Sequence, residues 1–168
     1  MADDSDRLHI AMVAPPWFEI PPTAYGGIEQ MLGDLVQALT DHGHQVTLIA
    51  AGDDRTPATM LRTYDRPPSE RLGDPLPEVV HAAAATQLLA DLDVDVVHDH
   101  TMAGPLTSAA RPAPTLATVH GPMDTELVDY YRHLGDSVSL VAISKAQRTA
   151  APDLNWIATV PNGIDIGS

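Results

Sequence analysis

Apolar residues recur along this chain in two alternating patterns, short continuous runs and helical stripes. Residues 8–14 form an apolar run of strand length. Pro15 and Pro16 end this run, because proline cannot donate to a sheet ladder. A proline-rich loop follows, and then apolar residues recur at the spacing of one helix face: Ile28, Met31, Leu32, Leu35, Val36 and Leu39. The chain therefore opens with a predicted strand, a loop and a helix.

The same alternation continues to the end of the sequence, with Gly43 placed to cap the first helix. Further strands are predicted at residues 45–50, 60–64, 94–98, 114–119, 137–143 and 155–160. Further helices are predicted at residues 77–92, 102–110, 125–134 and 145–150. Alternating strands and helices are typical of a parallel sheet that is covered on both faces. We therefore predict an α/β fold with a doubly wound, Rossmann-like, mainly parallel sheet of about seven strands and helices on both faces.

A glycine pair begins the first predicted helix, directly after the first strand and its loop. Ligands of doubly wound sheets bind outside the carboxyl ends of the strands. Gly26 and Gly27 place backbone N–H groups and the positive end of a helix dipole there, which suits a phosphate or another anion. The spacing matches neither the dinucleotide fingerprint nor the Walker loop. A tight turn into the helix is the alternative explanation of this glycine pair.

Three histidines lie at the ends of two predicted strands. His98 and His100 are two residues apart and would face the same side of an extended segment, and His120 follows the next strand. Histidines at strand ends can contact a ligand or bond a substrate hydroxyl, and a structural role is the alternative for His98 and His120. No third ligand stands at a recognisable spacing, so we predict no metal site. Ser144 is placed to cap the helix at residues 145–150.

The charge of the chain excludes several classes of partner. The formal net charge is −14, and no lysine or arginine cluster occurs. This argues against a nucleic-acid surface and against a polybasic face for anionic membranes. The absence of cysteine excludes disulfides and thiolate metal sites. The first residues are acidic and polar, and no apolar run approaches the roughly 18 residues of a membrane span. We therefore predict a cytoplasmic protein without a transmembrane segment.

Motifs in a fixed order along the chain give a more specific indication. They occupy residues 10–13, 25–29, 39–48, 95–100, 118–121, 141–144 and 160–165, and so extend over nearly the whole sequence. The most characteristic are Tyr-Gly-Gly-Ile-Glu at residues 25–29 and Val-Pro-Asn-Gly-Ile-Asp at residues 160–165. This ordered set resembles the N-terminal, acceptor-side half of family-four retaining glycosyltransferases, which have the two-domain GT-B architecture.

The resemblance implies roles for particular residues. Gly26 and Gly27 would lie under the diphosphate of a nucleotide-sugar donor and near the acceptor. His120 would lie beside the transferred sugar and contribute to catalysis. The substrates would be a nucleotide-diphosphate sugar and a hydroxyl acceptor, so neither a cofactor nor a metal is expected. The further residues assigned to binding the donor diphosphate and the acceptor are Tyr25, His100, Thr101 and Ser144.

The resemblance also predicts the domain organisation. Residues 1–160 would form the N-terminal Rossmann-like domain, and residues 161–168 would begin the linker to a second domain. In the family, that second domain carries most of the nucleotide site and a pair of glutamates, and the present sequence stops before such a motif. We therefore expect half of a hexosyltransferase-type enzyme, inactive until a C-terminal domain or chain completes it. Two alternatives remain open, a non-catalytic nucleotide- or sugar-binding Rossmann module and an interaction subunit.

Overall fold

Seven parallel strands form one sheet in the computed structural model, which describes residues 7–53 and 55–163. The strands are β1 (His9–Val13), β2 (Gln45–Ala51), β3 (Thr59–Tyr64), β4 (Val96–Asp99), β5 (Thr115–Val119), β6 (Ser139–Ala142) and β7 (Trp156–Thr159). Their spatial order is β3-β2-β1-β4-β5-β6-β7. The chain therefore winds outward in both directions from the β1/β4 pair, which confirms the predicted doubly wound, Rossmann-like sheet.

Four α-helices connect strands within the described residues. They are α1 (Gly27–Asp41), α2 (Pro75–Ala90), α3 (Thr125–Leu134) and α4 (Lys145–Ala150). The side chain of Ser144 caps α4 as expected, and that of Asp124 caps α3, each by accepting a hydrogen bond from a backbone N–H group of the first turn. Helix α2 begins two residues before the predicted start, because Asp74 caps it and Pro75 suits its first position.

One predicted helix differs in type. Between β4 and β5 the chain forms a 3₁₀ helix, Gly104–Ala110, where the sequence pattern predicted a helix from residue 102. Gly104 and Pro105 begin it, and its backbone bonds close over three residues, as those from Leu106 N–H to the Ala103 carbonyl and from Arg111 N–H to the Ser108 carbonyl show. The predicted junction with a second domain stays a prediction, because residues 164–168 lie outside the described part of the chain.

Side-chain alternation along the strands assigns each helix to a face of the sheet. On one face, Met12 and Leu48 pack against Leu32 of α1. On the opposite face, Val13 packs against Leu89 of α2. In-register neighbours in a sheet point the same way, and Val13 is in register with Asp99 and, through it, with residues 117 and 140. The cluster around α3 therefore lies on the same face as α2.

Part of the face that α1 covers is left open. Helix α1 packs over β1–β3, and beyond it a groove of about 530 Å³ runs along β5–β7. Four apolar residues of this groove form what we call the open face: Leu116, Val141, Ile157 and Val160. Ile157 and Val160 are more than half exposed, at 58% and 57%. Parallel sheets are ordinarily covered on both faces, so the described residues leave apolar sheet surface without its usual cover.

A buried ion pair fixes the end of β4. The side chains of Asp99 and Arg111 are 0% and 1% exposed, and Arg111 Nη2 lies 2.6 Å from Asp99 Oδ2. Arg111 Nη2 also donates to the carbonyl of Gly104, and Asp99 Oδ1 accepts hydrogen bonds from the backbone N–H and the hydroxyl of Thr101. A Cβ atom at Gly104 would collide with the Asp99 carboxylate. The ion pair therefore ties the 3₁₀ helix to the loop that follows β4.

We predict that Arg111→Met destabilises the fold by about 3–5 kcal/mol, because it leaves the Asp99 carboxylate buried without its counter-charge. Urea unfolding followed by circular dichroism measures the change. The matched control is Arg132→Met, which breaks exposed ion pairs with Asp129 and Asp153 and should leave the unfolding midpoint nearly unchanged. Equal midpoints for the two variants would contradict a stabilising role for the Asp99–Arg111 pair.

Candidate functional site

A cavity of about 260 Å³ lies at the carboxyl ends of β1, β4 and β5. This is the side of the sheet, and the switch in strand order, at which doubly wound folds bind their ligands. Its walls come from strand-end loops and from the helices on both faces. Residues that line it include Trp17, Ile28, Glu78, His100, Thr101 and His120. We call it the strand-end cavity.

A cluster of three histidine rings reaches the strand-end cavity. The ring centroids of His98 and His100 are 4.1 Å apart, which confirms that the two side chains share one face of β4. The His100 ring stacks in turn on His120, with centroids 5.3 Å apart and an angle of 26° between the planes. A 3.0 Å hydrogen bond joins His100 Nδ1 to His120 Nε2, and a 2.8 Å bond joins His98 Nε2 to Thr118 Oγ1. The four side chains form one connected polar group.

Burial keeps these histidines uncharged. Desolvation lowers the pKa of His98 and of His120 from 6.5 to about 4. For His100, burial first and then the neighbouring rings hold the pKa well below its ordinary value. Each ring therefore carries one N–H donor and one acceptor nitrogen at neutral pH. No lysine or arginine is among the described residues that line the strand-end cavity, so its walls supply dipoles rather than positive charge.

Gln147 of α4 holds the backbone on both sides of His120. Its side-chain N–H groups donate to the carbonyls of Val119 (3.0 Å) and Gly121 (2.8 Å). Its Oε1 atom accepts a 2.8 Å hydrogen bond from the backbone N–H of Ile143. Gln147 is only 8% exposed, so these three bonds are protected from competing water. They fix the position from which the His120 ring extends.

The glycine pair forms a tight turn into the N-terminus of α1, with a backbone conformation that requires glycine at its first position. Gly26 has φ +148°, and a Cβ atom there would lie 2.9 Å from the Pro22 side chain, so only glycine fits. Gly27 has open space where a Cβ atom would stand. The carboxyl group of Glu29 is buried beside this turn, and burial raises its pKa despite a bond to its own backbone N–H. The shape of the turn requires Gly26, whereas Gly27 leaves space beside the helix terminus.

The strand-end cavity brings together some of the predicted site residues. His100, Thr101 and His120 all line it, and the glycine pair lies beside its wall because Ile28, the next residue, lines it too. The Thr101 hydroxyl donates to Asp99 and accepts a hydrogen bond from the Gly104 N–H, so its bonding capacity is used within the loop.

Two predicted site residues lie elsewhere. Tyr25 is 76% exposed, contacts Phe18 edge to face at 5.6 Å, and lines a separate pocket in the proline-rich loop. Ser144 caps α4 by accepting a 3.3 Å hydrogen bond from the backbone N–H of Gln147. The capping role of Ser144 is confirmed, whereas the catalytic role of His120 and the ligand-binding roles of the other six predicted site residues stay predictions.

Sequence reasoning missed the residues that support the site. Thr118 and Gln147 were not singled out, although Thr118 stands at a strand end and Gln147 follows the predicted cap Ser144 by three residues. A polar residue in the first turn of a short helix is a usable signal of a supporting contact, because such a residue must find hydrogen-bond partners inside the fold if it is buried. No comparable signal linked Asp99 to Arg111, because these two residues of opposite charge lie on either side of a loop. Within the described chain, no group of three or more His, Asp or Glu side chains is arranged to hold a metal ion.

The family of the chain follows from a comparison with family models. The model of Glycosyltransferase Family 4 matches residues 25–168. The match begins at the Tyr-Gly-Gly motif and includes the histidine cluster and α4. The chain therefore belongs to Glycosyltransferase Family 4, which confirms the resemblance based on the ordered motifs.

Comparison with solved structures supports the fold. The chain is similar to AviGT4, described as a glycosyltransferase involved in Avilamycin A biosynthesis, with a TM-score of 0.59 and 22% sequence identity. The match covers 94% of the present chain and 43% of AviGT4, so the chain spans less than half the length of that protein. The fold is that of the N-terminal domain of GT-B glycosyltransferases.

No curated protein sequence matches the chain. Among the described helices, none has both the length and the apolar character that crossing a bilayer requires.

The stability of the fold should fall as the pH drops from about 7 to 5. The unfolded chain binds protons at its histidines near pH 6.5, whereas the folded state excludes them from His98 and His120 down to about pH 4. Stability is therefore present above the unfolded pKa and is lost as the pH falls, by about 1.4 kcal/mol per pH unit for each excluded proton. Urea unfolding at pH 7, 6 and 5 measures the slope.

A histidine variant tests the cause of this slope. His98→Gln keeps a donor for Thr118 but removes one titrating ring, so the slope should become shallower by about one proton. A slope that is the same in the variant, or absent in both proteins, would show that the folded histidines accept protons freely.

Gln147→Glu should destabilise the fold by about 1–3 kcal/mol, because a carboxylate cannot donate to the carbonyls of Val119 and Gly121. The backbone amide signal of His120 should move at the same time in a ¹H–¹⁵N spectrum. Arg148→Ala, on the exposed side of the same helix, is the control and should change neither measurement. If Gln147→Glu unfolds at the same urea concentration as the parent protein, the three buried bonds do not hold the loop.

Proposed function

We propose that this chain is the acceptor-side half of a glycosyltransferase that moves a hexose-like sugar from a nucleotide-diphosphate donor to an acceptor hydroxyl. The observation that carries the proposal is the juxtaposition of a glycine-initiated helix with a neutral histidine in one cavity. Both stand at the switch point of a Family 4 chain. In the proposed reaction, the bond between the anomeric carbon and the diphosphate breaks. The diphosphate leaves with the electron pair, and the acceptor oxygen bonds to the carbon and gives up its proton to an oxygen atom of the leaving diphosphate.

Helix α1 would stabilise the leaving diphosphate. Gly26 supplies no side-chain cap, although the Glu29 carboxyl bonds to its own N–H in the first turn, and the helix dipole places partial positive charge at the same end. Donors that are already oriented toward developing charge lower the barrier without reorganising during the reaction. The open space at Gly27 lets a phosphate approach the backbone, which a larger side chain would prevent.

The properties of His120 favour retention of configuration at the anomeric carbon. Inversion by direct displacement calls for a general base that removes the acceptor proton, and such a base works best with a pKa near the working pH. The pKa of His120 is lowered to about 4, and no carboxylate bonds to its ring among the described residues. A neutral ring of this kind suits a hydrogen bond to the sugar better than proton removal. Retention is also the stereochemistry that the sequence resemblance implies.

We infer that a C-terminal half completes the site. No cationic side chain is among the described residues that line the strand-end cavity, whereas a nucleotide diphosphate carries several negative charges. The open face offers that half a place to pack, since it exposes Ile157 and Val160 next to residues 161–163. The length of AviGT4, of which this chain matches 43%, supports the same inference. A cytoplasmic location stays a prediction of the sequence.

The test uses the protein expressed from the complete reading frame that contains this chain. It is incubated with uridine and guanosine diphosphate sugars and a panel of hydroxyl acceptors, and release of the nucleoside diphosphate is measured. We expect turnover that depends on the acceptor, with an unchanged anomeric configuration in the product by NMR. His120→Ala should lower kcat by about 10²-fold or more. His133→Ala, an exposed histidine of α3, is the matched control and should retain full activity.

A second pair of measurements addresses the glycine. Gly27→Ala should weaken donor binding and transfer without lowering the unfolding midpoint, because the added methyl group meets no protein atom. Two other outcomes would contradict parts of the proposal. Binding of a nucleotide sugar without any transfer would indicate a non-catalytic binding module. Steady turnover by the 168-residue chain alone would contradict the need for a C-terminal half.

A further inference from the structure

We propose that a second groove, next to the strand-end cavity, binds the apolar body of an uncharged hydroxyl compound, and that this compound is the acceptor of the transfer. The class of ligand follows from the groove itself. Only its role as the acceptor rests on the proposed glycosyltransferase function.

This groove lies between the segment that begins α2, the loop after β1 and the loop after β4, and its volume is about 420 Å³. We call it the α2 groove. Most of its wall is apolar and comes from the side chains of Trp17, Leu72, Pro75, Val79, Met102 and Ala103. Leu72, Val79 and Met102 are each more than half exposed. Exposed apolar side chains that gather around a concave surface are typical of a binding site.

The α2 groove adjoins the strand-end cavity. Trp17, Glu78 and Met102 line both of them and form a shared rim. A molecule whose apolar body occupies the α2 groove can therefore extend a hydroxyl group over this rim, toward the cavity that His120 lines. The volume also suits a small molecule, since small-molecule sites measure about 300–1,000 Å³, whereas a stable protein interface covers about 800 Å² of each partner.

The backbone of the shared rim is held in place. The Met102 N–H donates a 2.6 Å hydrogen bond to Glu78 Oε1, and the Met102 carbonyl accepts a 2.7 Å bond from the Tyr130 hydroxyl. The Trp17 carbonyl accepts a hydrogen bond from the hydroxyl of Ser69. The Met102 side chain is exposed and unbranched, so it can adapt its shape to a ligand while its backbone stays fixed.

The charges around the α2 groove select against an anion. No lysine or arginine is among the described residues that line it. Asp74 pairs with Arg71 at 2.9 Å, whereas Glu78 has no ion-pair partner in the described part of the chain. A carboxylate without a counter-charge repels an anionic ligand, and the apolar wall favours a body without charge. The net charge of −14 likewise argues against an anionic lipid surface as the occupant.

The first test is a titration of the 168-residue chain with 2-naphthol, an aromatic alcohol that is uncharged at pH 7, without any sugar donor. Labelled methionine methyl groups report the place of binding in ¹H–¹³C NMR spectra, because Met102 lines the α2 groove and Met31 lines the groove along β5–β7. We expect the Met102 signal to shift and to saturate at a lower concentration than any shift of Met31. The reverse order, or no saturable shift of Met102, would overturn the proposal.

A charged probe tests the selection against anions. The compound 6-hydroxy-2-naphthoate keeps the two rings and the hydroxyl group and adds a carboxylate, so it should bind several-fold more weakly than 2-naphthol. Glu78→Gln should narrow this difference, and its side-chain oxygen can still accept from the Met102 N–H. Equal binding of the two probes by the parent chain would overturn the assignment of an uncharged ligand. An unchanged difference in Glu78→Gln would contradict the role of Glu78.

Two matched variants test the wall of the groove. Val79→Asp places a charge on the wall and should weaken 2-naphthol binding about tenfold or more. Val80→Asp is the same substitution at the next position, which is also exposed but does not line the α2 groove, and should bind as the parent chain does. Equal affinities of the two variants would overturn the proposal. If either variant does not fold, the methionine signals of the parent chain still decide the question.

The protein from the complete reading frame tests the role as acceptor. In the transfer assay 2-naphthol should accept the sugar, and Val79→Asp should raise its KM more than it lowers kcat, whereas Val80→Asp should change neither. Transfer to other acceptors that 2-naphthol neither joins nor inhibits would overturn the acceptor role. So would binding of 2-naphthol by the 168-residue chain but not by the complete protein, since another segment then covers the groove. Binding by the complete protein without any transfer would count against the proposed function and leave the class of ligand standing.

Discussion

The alternation of side chains at the end of β4 is the constraint on which the site depends. Consecutive strand residues point to opposite faces, so Asp99 enters one layer of the core while His98 and His100 enter the other. On one side, the buried pair with Arg111 anchors the 3₁₀ helix and the loop. On the other side, the histidine rings reach the ring of His120. A register shift of one residue would move Asp99 to the face of the histidines and the histidines to the face of Asp99. Such a shift would therefore disrupt the ion pair and the histidine cluster together.

Among the described residues, the polar groups of the strand-end cavity are dipoles, neutral rings and the carboxylate of Glu78, in a protein of strongly negative net charge. No cation lines it among the described residues, and burial keeps its histidines uncharged. Such a surface orients hydrogen bonds without attracting anions over a long range. The ring of His120 is bonded to that of His100, and the side chain of Gln147 is bonded to the backbone of Val119, Gly121 and Ile143. These polar groups are therefore held in fixed positions by the fold.

The sequence predicted the fold almost completely, because each element has its own local signal. Helices α3 and α4 were predicted to the residue, since Asp124 and Ser144 mark their starts. The site was predicted only in part. Motif order identified His120 and the glycine pair, whereas the contact of His100 with His120 joins neighbouring strands and depends on their register. Alternation along one strand says which residues share a face but not which partner they meet, and a seven-stranded sheet has many possible partners.

The open face has a consequence for how such a protein is made. Strand β7 is an edge of the described sheet, and Ile157 within it and Val160 directly after it present apolar side chains to water. Unpaired strand edges and apolar patches are the surfaces through which partly assembled chains stick to one another. If the C-terminal half proposed above covers this face, the face stays exposed during synthesis until that half has been made. The covering segment, or a chaperone in its place, would then have to reach the open face before a second unfinished chain does.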